Sequence, residues 1–355
     1  FDGWKYDIRE KDKGGCTVIG KEVDGKMVVA RNMDMSISHM PAYYFRTDLE
    51  GCNKTICVMY TNFLGETSDV IRRNGISNAM LEMLPISAAD SMNDKGFYVE
   101  ANMRTTENYE DGTSKFGSSG TNPDSDIRLA LSQLPVYLPL HCDTVDEALK
   151  MVREDLDIYS LNSDLIDWPL CLYMADATGN YGVLEVVNNE IIWHDKAPAQ
   201  ANFYLDEKYQ QIEDYKAGFG KDGRYETAIK GREAAETPED MWNAIDKVTY
   251  YQVYDLDNCK FDPRTEYTGH DICGVEGMPT NWTTDVVLDE NNRPALEKYI
   301  RQNGKKVMGM TRDEQADKNE YWESVYTILA NCTDKTMKIR FFEDDERTIE
   351  LGFDE

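Results

Sequence analysis

Two short runs, Gly14-Gly15-Cys16-Thr17-Val18-Ile19-Gly20 and Val28-Val29-Ala30-Arg31-Asn32-Met33-Asp34, flank an Asp24-Gly25 dipeptide. Asp-Gly between apolar runs predicts a β-hairpin. The tight two-residue turn needs positive φ at both central positions, and Asp and Gly tolerate it. Such a hairpin folds the start of the first run back beside the end of the second. The Cys16 thiol, the Arg31 guanidinium and the Asp34 carboxylate are therefore expected to converge.

That trio suits nucleophilic chemistry. The thiolate is the reactive form of cysteine, and a nearby cation lowers its pKa. A cut before Cys16 would leave a free α-amine on the same residue, with a reference pKa of about 8, able to act as a general base. Gly14 and Gly15 would let a cleavable loop adopt strained backbone angles at low steric cost. A plainer alternative is a buried core cysteine at a strand start, with Arg31 and Asp34 as a simple ion pair. The hairpin alone leaves both readings open.

Gly-Cys-Thr, a short strand and then Arg-Asn-x-Asp resemble the start of the choloylglycine hydrolase family. These are linear-amide hydrolases of the N-terminal-nucleophile class, including bile salt hydrolases and penicillin V acylases. The resemblance implies that Cys16 becomes the mature N-terminus, assisted by Arg31 and Asp34. Cleavage would fall between Gly15 and Cys16, making residues 1–15 an autocatalytically removed propeptide and 16–355 a single domain. By composition alone, 1–15 reads equally well as a polar surface extension.

The resemblance continues in order along the chain. Asn93-Asp94-Lys95-Gly96 reads as a turn feeding a strand from Phe97 to Met103. It is similar to the family's Asn-Glu-Lys-Gly-Leu segment, which implies that a backbone N–H near Asn102 joins an oxyanion hole. A meander follows, with strands at 170–176, 181–187 and 190–194 and turns at 177–180 and Asn188-Asn189. Its strands are apolar on both faces, as expected where both sides of a sheet are covered. Gln200-Ala201-Asn202 is similar to the family's Thr-Asn segment and implies Asn202 as the side-chain oxyanion donor. A Gly-rich turn at 218–223 leads Arg224 into a helix, and the resemblance implies that Arg224 braces Asn202 and Cys16. In the family the loop after the first hairpin borders the substrate pocket. Met40, Tyr43, Tyr44 and Phe45 are therefore expected to line an acyl site, although such aromatic clusters also serve as core. Strands at 321–330, 336–342 and 348–351 close the chain. Lys and Arg alternating with Met, Ile and Phe over 336–342 suggest one buried face.

Helices are expected from Asp124 onward, after Thr144 and after Thr237, the last two with capping residues. Residues 106–123 form a loop by composition, read as a pocket lid or as disorder. The implied fold is α+β: a four-layer α/β/β/α sandwich of the N-terminal-nucleophile type, with helices outside two packed antiparallel sheets.

With 38 basic and 66 acidic residues, the chain carries a formal charge of −28. Such a field repels nucleic acid and anionic membranes, so neither is expected as a partner. No apolar run is long enough to span a bilayer. A chain opening at Phe1 has either a start set by cloning or one left by signal-peptide removal. The second makes an exported protein the expectation, with a cytoplasmic one the alternative. Eight cysteines without a Cys-x-x-Cys pair, and four histidines, argue against zinc. Cys52 and Cys57 are close enough in sequence for a local disulfide, but the length and core of the chain argue that none is required. Bile salt hydrolases carry a longer assembly insertion between the positions of Asn202 and Arg224. A homo-oligomer is thus an open expectation, and the implied tetramer is not carried over.

The activity implied is hydrolysis of a linear amide in a small N-acyl compound through a Cys16 thioester, with no metal or organic cofactor. Two rivals are an acyltransferase on the same scaffold and a binding domain in which Cys16 is structural.

Overall fold

The computed structural model describes residues 16–35, 42–60, 88–103, 116–160, 170–209, 223–248, 323–341 and 347–353, with further strands at 254–255, 260–261, 283–288, 294–302 and 305–311. The expected propeptide, Gly15 and Met40 lie outside the described residues.

The Asp24-Gly25 turn has φ of 50° and 69° at its two central residues. That is the type I′ geometry its dipeptide favours, and its twist matches that of the flanking strands. It joins β1 (Thr17–Val23) to β2 (Lys26–Met35), paired from Val23↔Lys26 to Thr17↔Asn32. The strands that follow are β3 (Ala42–Thr47), β4 (Thr55–Tyr60), β5 (Ala88–Asn93), β6 (Tyr98–Met103) and β7 (Ile127–Ala130). Helices α1 (Leu134–His141) and α2 (Val145–Glu154) come next, then β8 (Leu156–Tyr159), β9 (Leu170–Ala175), β10 (Tyr181–Val187), β11 (Glu190–Asp195) and β12 (Ala199–Gln200). Helices α3 (Gly223–Ala234) and α4 (Pro238–Asp246) precede a short pair, β13 (Tyr254–Asp255) with β14 (Lys260–Phe261). Strands β15 (Thr283–Leu288), β16 (Pro294–Gln302) and β17 (Lys305–Thr311) form a three-stranded antiparallel sheet. The chain closes with β18 (Glu323–Asn331), β19 (Thr336–Phe341) and β20 (Arg347–Leu351).

Two large antiparallel sheets dominate. One has six strands in the order β12-β1-β2-β18-β19-β20, the other seven in the order β11-β10-β9-β6-β5-β4-β3. Alternate residues of each strand face opposite sides, and three apolar cores follow. Val18, Val29, Met33, Tyr326 and Ile339 of the first sheet pack against Ile56, Met92, Tyr98 and Tyr173 of the second. On its outer face the first sheet offers Ile19, Val28, Ala30 and Leu329 to Ala228, Met241, Trp242 and Ile245 of α3 and α4. The second sheet offers Val99, Leu172 and Leu184 to Leu134, Leu138, Leu149 and Val152 of α1 and α2. The architecture is therefore a four-layer α/β/β/α sandwich of the α+β class.

Local rules explain many of the element boundaries. Thr144 caps α2 by accepting from the Glu147 N–H, and Glu147 returns to the N–H of Asp143. Thr237 and Asp240 form a reciprocal capping box before α4, with Pro238 in its first turn. Met337 and Ile339 of β19 point into the inter-sheet core, while Lys338 and Arg340 stack over Trp242 at 4.5 and 5.1 Å. Gly96, in the β5–β6 turn, has a φ of +87°, and an added Cβ there would run into the Cys332 carbonyl of the β18–β19 turn. That turn therefore requires glycine on two counts.

Two expectations change. Residues from Asp124 do not form a helix: β7 pairs in parallel with β8, one 3₁₀ turn spans Leu131–Gln133, and α1 begins only at Leu134. Ser125 explains the difference. Its hydroxyl donates to the Asp155 carbonyl and accepts from the Ile127 N–H, side-chain bonds that compete with a helix. Tyr43, Tyr44 and Phe45 lie on a strand, β3, at the edge of the second sheet and not in a loop. Cys52 and Cys57 are free thiols. The described part of the expected 106–123 loop is pinned by a bridge between Ser118 and Ser160 and by the Asn189 side chain. Among the described residues no helix is long and apolar enough to cross a membrane.

Candidate active site

The hairpin sets two different environments along β2. Arg31 and Met33 face the second sheet, while Asn32 and Asp34 face the layer of α3 and α4. Arg31 is wholly buried and bridges the sheets. Its Nε donates to Glu100 Oε2 at 3.1 Å and its Nη1 to Asp90 Oδ2 at 2.7 Å. Nη1 also donates to the Tyr326 hydroxyl at 3.0 Å and Nη2 to the Ala101 carbonyl at 3.0 Å. Asp90 accepts two further bonds, from Tyr98 at 2.5 Å and Tyr326 at 2.6 Å.

Cys16, only 3% exposed, precedes β1. Its Sγ lies 3.8 Å from Arg31 Nη2 and 3.3 Å from Met33 Sδ, and the Asp34 backbone N–H bonds to it. Its backbone N donates to Asn202 Oδ1 at 2.8 Å. Asn202, just past β12, donates from Nδ2 to the Met103 carbonyl at 2.6 Å. One side-chain amide thus ties the start of β1 to the end of β6.

The Asp34 carboxylate accepts from Asn32 Nδ2 at 2.9 Å on each oxygen, and from the Ser324 hydroxyl. A register shift between Ser324 and Tyr326 puts Ser324 opposite Asp34 while Tyr326 turns towards Arg31. Cys16, Arg31 and Asp34 are therefore brought together, but Arg31 forms its ion pairs with Asp90 and Glu100, not with Asp34.

The remaining expected residues are placed as follows. Asn102 lies on β6 on the face that carries Tyr98 and Glu100 towards the first sheet. Its side chain is fully buried, and among the described residues neither its Nδ2 nor its Oδ1 has a hydrogen-bond partner. Arg224 enters α3 as its second residue, and its side chain lies outside the described residues. Phe45 packs towards Cys57, Val136 and Leu140, on the helix-covered face of the second sheet. Tyr43 shares that face by alternation, whereas Tyr44 faces the other way and is 45% exposed.

Burial dominates the electrostatics. It pushes the Cys16 thiol up to about 11, against the pull of Arg31 and with the added push of Asp34 and Glu100. A cation beside the thiol therefore does not make it a resting thiolate. Burial also lifts Glu100 to about 8, opposed by Arg31 and reinforced by Asp90. Asp90 is raised by burial, with Arg31 and both phenol hydroxyls opposing. Among the described residues no group of three or more His, Cys, Asp or Glu is arranged to hold a metal.

Asp90, Glu100, Tyr98, Tyr326 and Ser324 are the residues that sequence reasoning missed. A usable clue existed. Asp90 and Glu100 are carboxylates on strands that lie next to apolar runs, and a carboxylate buried between two layers needs a cation. Arg31, in an apolar run of its own, is the matching one.

No protein-family model matches the chain, and no curated protein does. Among solved structures the chain is similar to a variant of the conjugated bile acid hydrolase from Clostridium perfringens, at 13% identity over 96% of this chain and 92% of that one, with a TM-score of 0.46. It is also similar to penicillin V acylase from Agrobacterium tumefaciens, at 12% identity over 96% and 87% of the two chains, with a TM-score of 0.49. A third is the Caenorhabditis elegans ortholog of N-acylethanolamine-hydrolyzing acid amidase, at 11% identity over 87% and 99%, with a TM-score of 0.34. These values describe a distant likeness. The four-layer architecture stands on the sheets, helices and cores described above.

Proposed function

We propose that the protein is an amide hydrolase in which Cys16, freed at its own α-amine by cleavage of the Gly15–Cys16 bond, is the nucleophile. The carrying observation is that two groups of one residue each meet a polar side chain from elsewhere in the fold. The backbone nitrogen of Cys16 is held by Asn202 at 2.8 Å, and its thiol lies 3.8 Å from Arg31. A core cysteine needs neither contact. The ordered motifs along the chain support the same reading, with residues 1–15 as the propeptide and 16–355 as the mature chain.

In this reading the freed amine takes the thiol proton, which offsets the cost of ionising a buried sulfur. The Sγ–C bond to the substrate carbonyl forms, and the C–N bond breaks as the amine passes the proton to the leaving nitrogen. Water then attacks the thioester, its proton moves to the amine, and the thiol is restored. Asn202 Nδ2 and a backbone N–H near Asn102 stabilise the oxyanion, a contribution of roughly 10²–10³ in rate per donor. Asp34, held by Asn32 and Ser324, steadies the ammonium form of the amine. The substrate is a small N-acyl compound, and the −28 field disfavours a polyanionic one at long range.

Acyl trapping tests this. The protein is incubated with a panel of linear N-acyl amides, quenched in acid and mapped by peptide mass. The expected result is an acyl adduct on Cys16, absent in Cys16→Ala. Amide turnover that survives Cys16→Ala would overturn the reading.

A further inference from the structure

Arg31 is one cation facing three potential anions. Asp90, Glu100 and Cys16 all lie within its reach, at 2.7, 3.1 and 3.8 Å. Arg31, Asp90 and Glu100 are fully buried. Arg31 with ionised Asp90 sums to zero. Ionising either Glu100 or Cys16 makes the group −1, and ionising both makes it −2. An uncompensated anion away from water is strongly disfavoured. Glu100 and Cys16 therefore compete for the same guanidinium.

The two carboxylates are not equivalent. Asp90 accepts from Arg31, Tyr98 and Tyr326, three bonds that favour its charged form. Glu100 accepts one side-chain bond, from Arg31, and a backbone one from Tyr173, and among the described residues its Oε1 has no hydrogen-bond partner. The shared proton belongs on Glu100.

We propose that Glu100 is a positioning residue acting on Cys16 through Arg31, and that the Cys16 thiolate forms only while the Glu100 carboxyl is protonated. This rests on the reading of Cys16 as nucleophile. Glu100 faces Arg31 from β2, Asp90 from β5, Tyr98 from its own strand, Tyr173 from β9 and Cys16 ahead of β1; Tyr326 of β18 meets the same guanidinium, and Asp34 adds its push on Cys16. Among the described residues facing Glu100 only Arg31 is cationic, and the ammonium that takes the thiol proton is matched by Asp34, so a second anion at Glu100 goes uncompensated. The elevated titration of Glu100, near 8, keeps it protonated at neutral pH. No proton is created or lost. The thiol proton goes to the Cys16 amine, and Glu100 keeps the one it holds.

The test is the pH profile of Cys16 alkylation by iodoacetamide, followed by peptide mass, in wild type, Glu100→Gln and Glu100→Ala. Gln is permanently neutral and nearly isosteric. Glu100→Gln is expected to label like wild type at neutral pH, where Glu100 already holds its proton, and about tenfold faster well above pH 8, equivalent to one unit of thiol pKa. A merely structural role predicts slower or unchanged labelling there. Glu100→Ala, which leaves the Arg31 Nε unheld, is expected to lose the gain. Wild type alone should show two apparent steps with a break near pH 8, a readout independent of whether the variants fold. A single-step wild-type profile, or a Glu100→Gln profile superimposed on it, overturns the proposal whatever Cys16 does in catalysis. A shifted profile without any Cys16 acyl adduct supports the coupling and overturns the nucleophile reading instead.

Discussion

Asn202 Oδ1 accepts the backbone N–H of Cys16 at 2.8 Å, across 186 positions of sequence. The same side chain donates to the Met103 carbonyl at 2.6 Å, so it sets where β1 begins relative to β6. Asn202→Ala removes one hydrogen bond from each backbone group, at about 1–3 kcal/mol for the buried Cys16 end. Turnover of the amide that acylates Cys16 should fall roughly 10²–10³-fold. Thermal denaturation and steady-state kinetics on the same preparation check the two effects.

Asn102 makes the opposite prediction for stability. A buried amide with neither end bonded costs the fold free energy. Asn102→Leu, similar in volume and free of that cost, is expected to raise the denaturation midpoint while keeping turnover, since leucine retains the backbone N–H. A drop in stability would mean that the amide is satisfied by ordered water.

Gly96 and Gly25 separate strain from collision. Both have positive φ, but a Cβ at Gly25 meets nothing within 4 Å, whereas at Gly96 it meets the Cys332 backbone. Gly25→Ala is expected to cost about 1–2 kcal/mol, the left-handed penalty alone. Gly96→Ala should cost clearly more, because one of the two sheets must shift. Urea denaturation of the two variants measures the difference.

The pH dependence of stability has a definite sign. Glu100 titrates near 8 in the fold against 4.5 for a free glutamate. Between these values the folded state holds a proton that the unfolded state has released, so stability falls as pH rises. This contribution is full below about 4.5 and lost above about 8. The urea midpoint of Glu100→Gln should therefore fall less over that window than the wild-type midpoint does.

Much of the scaffold is legible because local rules decide it. Asp24-Gly25 and Asn188-Asn189 dictate tight turns with positive φ. Thr144 and Thr237 mark helix starts, and the apolar meander at 170–194 marks a sheet covered on both sides. What escapes is decided at long range. Ile127 to Ala130 has no strong pattern of its own and becomes a strand because β8 lies beside it. Tyr43 to Phe45 read as a loop because β3 is a half-exposed edge strand with one paired neighbour. At the site, the hairpin places Cys16, Arg31 and Asp34 by itself. The partners of Arg31 come from β5, β6 and β18, up to 295 positions away, and no local pattern announces them.

The most direct test of the central claim is the intact mass of the purified protein beside that of Cys16→Ala. The account predicts a wild type shortened by residues 1–15, beginning at Cys16, and a variant left uncut. A wild type that keeps those residues and still turns over amides, or a Cys16→Ala protein cut at the same bond, would contradict it.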